Sequence, residues 1–146
     1  MIRNVKLILL MLALMPLCAF AQNGWNDALY KQIEQNVNEP VFKDKTYDVT
    51  KYGASPKATA AKNQKAINKA IEECSKKGGG KVVVPAGTYN TGAIRLKSNV
   101  NLEIQKDAKL QFVFDKTLYP IVKTRWEGMD CMNYSPCVYA YGEKNI

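Results

Sequence analysis

The run Thr124-Arg125-Trp126-Glu127-Gly128 gathers three side chains suited to acids and sugars. An arginine fork grips a carboxylate through two parallel hydrogen bonds. An indole presents a large apolar face on which a sugar ring can stack, and a glutamate orients either partner. Arg125, Trp126 and Glu127 are therefore the candidate substrate-binding residues. The same run also suits a loop anchor, with Trp126 packed and Arg125 paired to Glu127 on the surface.

Other chemistries find less support. Glycosidic cleavage needs two carboxylates flanking one bond. Beyond the N-terminal leader the aspartates are Asp27, Asp44, Asp48, Asp107, Asp115 and Asp130, none adjacent to another. Asp107 and Asp115 fall at turns or strand ends, where Asp is common for structural reasons. No residue is assigned a catalytic role. Histidine is absent, which removes Ser-His-Asp and Cys-His catalysis, His-bearing zinc sites and a histidine pH switch from this chain. Cys74, Cys131 and Cys137 without histidine make a poor metal set, so no metal and no cofactor are expected. Cys131 and Cys137 are close enough in sequence to close a small disulfide loop in an oxidising compartment, and free thiols are the alternative. Lys77-Gly78-Gly79-Gly80-Lys81 is no phosphate cradle: a cradle needs a helix starting after the glycines, whereas here a helix ends before them and a strand comes next.

The elements that must position these residues can be read from periodicity. The chain has 146 residues, enough for one domain, and its 47% hydrophobic content is that of a globular protein. Arg3 and Lys6 precede an apolar run from Leu7 to Phe20, and Ala19-Phe20-Ala21 closes it. This layout predicts a secretory signal peptide over residues 1–21, cleaved after Ala21, and export to the periplasm or the extracellular space. The run is short for a membrane span, and Leu17 before Cys18 is large where a lipoprotein signal has a small residue, so no membrane anchor is expected. Residues 22–44 read as a helical arm, with Trp25, Leu29, Ile33 and Val37 on one stripe and Asn26 as its cap, packed on the domain C-terminal to it; residues 42–46 read as a linker.

From Tyr47 the pattern predicts a short strand to Lys51 and a turn at Tyr52-Gly53-Ala54-Ser55-Pro56. Next comes a helix over Asn63–Lys77, capped by Asn63 and stopped by Gly78-Gly79-Gly80. Ala66, Ile67, Ala70, Ile71 and Cys74 form its apolar face. The period then changes from helical to two. Val82 and Val84, Ile94 and Leu96, Val100, Leu102 and Ile104, and Ala108, Leu110, Phe112 and Phe114 alternate with polar residues. These read as short strands with one buried face. Strong two-residue hairpin signals are lacking, and a stacked parallel coil or a small sandwich both fit the pattern. Met129–Tyr141 adds further short strands and turns.

In this order, Tyr47-Asp48-Val49-Thr50-Lys51-Tyr52-Gly53-Ala54, the Ala66-Ile67/Ala70-Ile71 helix, Gly78 through Tyr89, and Leu96-Lys97-Ser98-Asn99-Val100 with Leu102 resemble the N-terminal region of glycoside hydrolase family 28, the pectin-degrading polygalacturonases and rhamnogalacturonases. Tyr119-Pro120, Thr124–Gly128 and Asn133-Tyr134-Ser135-Pro136 extend the resemblance, which spans about residues 45–146. It implies a mostly β fold: the opening coils of a right-handed parallel β-helix of the pectate-lyase-like kind, capped at the N-terminal end by an α-helix. It also implies inverting hydrolysis of α-1,4-galacturonan by aspartates carried in later coils. The motifs of those coils, Asn-Thr-Asp, Asp-Asp, Gly-His-Gly and Arg-Ile-Lys, do not occur here. Between Ser55 and Gln64 the chain departs from the family by carrying Lys57 and Lys62 where relatives are often acidic.

The expected organisation is thus signal peptide (1–21), helical arm (22–44) and β-helix coils (45–146), truncated at the C-terminus. The expected partner is an acidic polysaccharide such as pectin or polygalacturonate, consistent with a formal net charge of +8, and not nucleic acid. A non-catalytic polysaccharide-binding β-helix, and a β-helix pectate lyase or epimerase, are the alternative functions.

Overall fold

A computed structural model describes residues 27–37 and 39–146 of the protein. The predicted signal peptide, Trp25 and the expected Asn26 cap lie outside the described residues. The chain divides into two compact units, residues 1–39 and 40–146. In the first, helix α1 (Asp27–Asn36) starts on an acidic residue, which suits the positive end of the helix dipole. Leu29, Ile33 and Val37 fall on one stripe as expected, but all three are exposed, and α1 buries no residue. Among the described residues no helix is long and apolar enough to cross a membrane.

The second unit is a mixed α/β arrangement of one long helix and several short sheets, less purely β than the sequence suggests. β1 (Thr46–Asp48) is shorter than predicted. The Asp48 carboxylate accepts hydrogen bonds from the Thr50 amide (2.8 Å) and hydroxyl (2.7 Å), which turns Val49–Tyr52 into a 3-10 helix instead of extending the strand. Helix α2 spans Ala60–Lys76. Its start lies upstream of the predicted one because Thr59, not Asn63, is the cap: the Thr59 hydroxyl accepts from the Lys62 amide. Ala60 and Ala61, strong helix formers, carry the added turn.

Freed from capping, Asn63 is wholly buried and joins two distant backbone groups. Its carbonyl oxygen accepts from the Ser55 amide (2.8 Å), and its amide donates to the Asn90 carbonyl (2.9 Å). The next polar residues on α2 act alike. Gln64 Nε2 donates to the carbonyls of Ala93 (3.0 Å) and Leu118 (2.6 Å). Asn68 donates to Ala93 O (3.0 Å) and accepts from the Arg95 amide (2.9 Å).

β2 (Gly80–Val84) pairs in parallel with β1 on one side and with β5 (Val100–Ile104) on the other. β3 (Gly87–Thr91) pairs in parallel with β6 (Ala108–Phe112), and β4 (Ile94–Arg95) with β9 (Val138–Tyr139). Gly80 stands beside Val100 and Gly87 beside Ala108, so the chain returns twice over its own track. The helix-to-strand turn requires glycine at Gly79: its φ is +97°, and a Cβ there would collide with the Asn99 backbone.

The core lies between α2 and these strands. Val49, Ile67, Ile71, Cys74, Val82, Val84, Ile94 and Val100 are fully buried, as is Tyr89 on β3, a strand the alternating pattern did not reveal. Burial desolvates the Cys74 thiol and pushes its pKa up. The apolar sets of β5 and β6 are buried less than predicted. Leu102, Leu110 and Phe112 are half-buried, Ile104 is 48% exposed and Phe114 fully exposed. The reason is position: among the described residues no strand pairs with the far edge of either β5 or β6.

The segment after β9 is tied back by Glu143. Its carboxylate accepts from the Ser98 hydroxyl (2.7 Å) and amide (2.9 Å) and meets Lys97 Nζ at 3.0 Å. These contacts, led by the Ser98 hydroxyl, hold the Glu143 pKa down at about 2 against an ordinary 4.5. A carboxylate with a depressed folded-state pKa adds stability above its ordinary pKa and loses it as pH falls through the folded value. Glu143→Gln should therefore lower the melting temperature at neutral pH, and the gap from wild type should close as pH falls from about 4.5 to about 2; thermal melts across that range check it. Asn63→Ala should destabilise the protein by about 2–4 kcal/mol, because two buried backbone groups lose their partner. Urea unfolding should show a lower midpoint at an unchanged slope.

Candidate binding groove

Arg125 lies on a β-ribbon. β7 (Ile121–Trp126) and β8 (Met129–Tyr134) pair antiparallel, with Arg125 opposite Asp130 and Trp126 opposite Met129. The two-residue turn between them is Glu127-Gly128, with φ of +46° and +88°. Two successive positive φ values match the twist of a tight hairpin. Gly128 adopts that conformation freely, and Glu127 is carried along with it, which is why no Asn-Gly-like signal marked the turn.

Strand alternation then decides what each candidate side chain can touch. Ile121, Lys123 and Arg125 share one face with Tyr134, Met132 and Asp130. Val122, Thr124 and Trp126 share the other with Asn133, Cys131 and Met129. The ribbon therefore separates Arg125 from Trp126, and Glu127 sits at the tip. The predicted trio does not converge on one ligand ring. Nor does it form the alternative loop anchor. Trp126 is 64% exposed beside Met129 at 69%, and Arg125 Nε donates to the Gly128 carbonyl (3.1 Å) instead of pairing with Glu127.

The Arg125 face borders a groove of about 600 Å³. Its charged walls are Arg95, Lys123, Arg125 and Asp130, and Tyr139 and Tyr141 complete it. Arg95 arrives on β4, where its amide is fixed by Asn68 of α2 and where Tyr139 of β9 is its register partner. The Ile94 amide to the Cys137 carbonyl and the Leu96 amide to the Tyr139 carbonyl, both 2.8 Å, hold β9 in place.

Three cations thus face one carboxylate. Lys123 Nζ lies 3.0 Å from Asp130 Oδ2. Among the described residues neither Arg95 nor Arg125 has an ion-pair partner. The Nε bond of Arg125 turns its guanidinium while leaving both terminal nitrogens able to make a two-pronged contact with an acid. The groove therefore carries an excess of positive charge and is flanked by phenol rings.

Of the residues lining the groove, the sequence analysis singled out Arg125 and not Arg95, Lys123, Asp130, Tyr139 or Tyr141. The alternation Val122-Lys123-Thr124-Arg125 was a usable signal for Lys123. Arg95 and the tyrosines carried none, because only the β4–β9 pairing brings them together. Three of the remaining aspartates serve local structure. Asp48 caps a 3-10 turn, Asp115 caps another through the Thr117 hydroxyl (2.7 Å) and amide (3.0 Å), and Asp107 occupies a turn at φ +62°. The Thr117 bonds hold the Asp115 carboxyl below its ordinary pKa. Cys131 and Cys137 are free thiols, and the described residues contain no cluster of three metal-ligating side chains.

No protein-family model matches the chain. Among curated proteins it is 41% identical over 66 residues to an exo-poly-alpha-D-galacturonosidase of Dickeya chrysanthemi, which is 45% of this chain and 10% of that protein. It is 32% identical over 109 residues to an iota-carrageenase of Alteromonas macleodii, 73% of this chain and 19% of that one. In fold it matches a hyperthermoactive exopolygalacturonase from Thermotoga maritima with a TM-score of 0.69 and 38% identity, covering 79% of this chain and 26% of that one. It matches the family 28 exopolygalacturonase of Yersinia enterocolitica with a TM-score of 0.59 and 31% identity, covering 67% and 17%. The chain spans between a tenth and a fifth of the curated relatives it matches. Over the residues it shares with them, the chain is family 28 exopolygalacturonase-like in sequence and in fold.

Proposed function

We propose that this chain is part of an exported polygalacturonase-type glycoside hydrolase acting on pectin, and that its own task is to hold acidic polysaccharide, not to cut it. The observation that carries the reading is the joint likeness to exopolygalacturonases, at 38% identity with a TM-score of 0.69 over most of the chain. On this reading the parallel pairs β2–β5 and β3–β6 are successive coils of a right-handed β-helix, and α2 caps their N-terminal end. The cleavage chemistry, inverting hydrolysis of galacturonan, belongs to carboxylates outside this chain. Two features support binding without chemistry here: Asp48, Asp107, Asp115 and Asp130 sit in caps, a turn and an ion pair, and the groove is lined by cations.

The likeness to an iota-carrageenase favours a second reading, in which the polymer is a carrageenan and not a galacturonan. Affinity electrophoresis of the full chain separates the two: retardation by polygalacturonate and not by carrageenan supports the pectin reading, and the reverse overturns it. Within the pectin reading, Arg125→Ala should weaken polygalacturonate binding by about 1.5–3 kcal/mol, roughly ten- to a hundredfold, the scale of a charged hydrogen bond. Unchanged binding at unchanged stability would remove Arg125 from the site. The N-terminal pattern supports export to the periplasm or out of the cell, with Ala21-Gln22 as the cleaved bond. Mass spectrometry of the exported protein should therefore find Gln22 first; an N-terminus at Met1 or a lipid on Cys18 refutes it.

A further inference from the structure

The groove holds a single carboxylate, and its position suggests a purpose. Asp130 is the only acidic residue lining the groove among the described residues. It stands directly opposite Arg125 across the ribbon, yet it pairs on the diagonal with Lys123 at 3.0 Å. Arg125 is meanwhile held by the Gly128 carbonyl. Lys123 and Asp130 are 57% and 65% exposed, and an ion pair so exposed adds little to fold stability. Its consequence is electrostatic. A carboxylate approaching Lys123 meets an ammonium whose charge is already balanced, and meets the repulsion of Asp130 beside it.

We propose that Asp130 sets the charge selectivity of the groove by occupying Lys123, so that recognition of a carboxylated sugar chain falls to Arg95 and Arg125. The proposal rests on the reading of the groove as an acidic-polysaccharide site. Lys123 is then a cation held in reserve by the ion pair. The pair thereby holds down affinity for densely charged polymer.

A mutant cycle on the full chain tests this, with galacturonate oligomers as ligand and calorimetry or fluorescence as readout. Asp130→Asn keeps the shape and removes the charge. It should strengthen binding by about three- to tenfold, the effect of deleting one repelling charge at a few ångströms in a water-exposed site. It should also steepen the fall of affinity with added salt, because a further cation then acts on the ligand. Lys123→Met should weaken binding far less than Arg125→Ala does, and in the Asp130→Asn background it should cancel most of the gain. If Arg125→Ala weakens binding while Asp130→Asn leaves it unchanged or weaker, the role given to Asp130 is wrong and the groove reading stands. If wild-type protein does not bind, or Arg125→Ala binds as wild type does, the groove reading falls and this proposal with it.

Discussion

Helix α2 holds the fold together through amide side chains as much as through its apolar face. Short two- and five-residue strands leave corner segments whose backbone groups have no ladder partner, and such groups are costly to bury unpaired. Asn63, Gln64 and Asn68 supply those partners from the first half of α2, reaching Ser55, Asn90, Ala93, Arg95 and Leu118. The corner between β3 and β4 is thereby fixed in place. Ile67, Ile71 and Cys74, on the adjoining face, close the core over Val82, Val84 and Ile94.

The groove inherits its geometry from that corner. Asn68 fixes the Arg95 amide, and β9 then adds to β4. The Glu143 contacts with Lys97 and Ser98 secure the chain beyond Tyr141. The ribbon of β7 and β8 brings the opposite wall. One wall is thus anchored in the core and the other is an exposed hairpin, while the cations come from both. An anion held between Arg95 and Arg125 would bridge the two walls.

The ribbon also explains why adjacency in sequence misleads about function. Neighbouring residues on a strand face opposite ways, so a run such as Arg125-Trp126 cannot act on one side of a ligand unless the strand is broken. The ribbon runs unbroken to Trp126. Trp126 and Met129 instead form an exposed apolar pair on the face away from the cationic groove.

The sequence by itself determined the local grammar. The apolar spacing from Ala66 to Cys74 identified the buried face of α2, and three glycines fixed its end, because helical period and left-handed φ are properties of a few neighbouring residues. The order of the motifs was enough to carry the family likeness. Tertiary structure decided the rest. Thr59 displaced Asn63 as cap because Asn63 could satisfy Ser55 and Asn90, groups distant in the chain. β3 escaped notice because Tyr89 and Thr91 are buried without an aliphatic pattern. Ile104 and Phe114 are exposed although they share the alternation of buried residues, since burial depends on what lies across the sheet edge. The groove was the least legible feature: Arg95, Lys123 and Tyr139 meet only through long-range strand pairing, and no local spacing records which distant strands will pair.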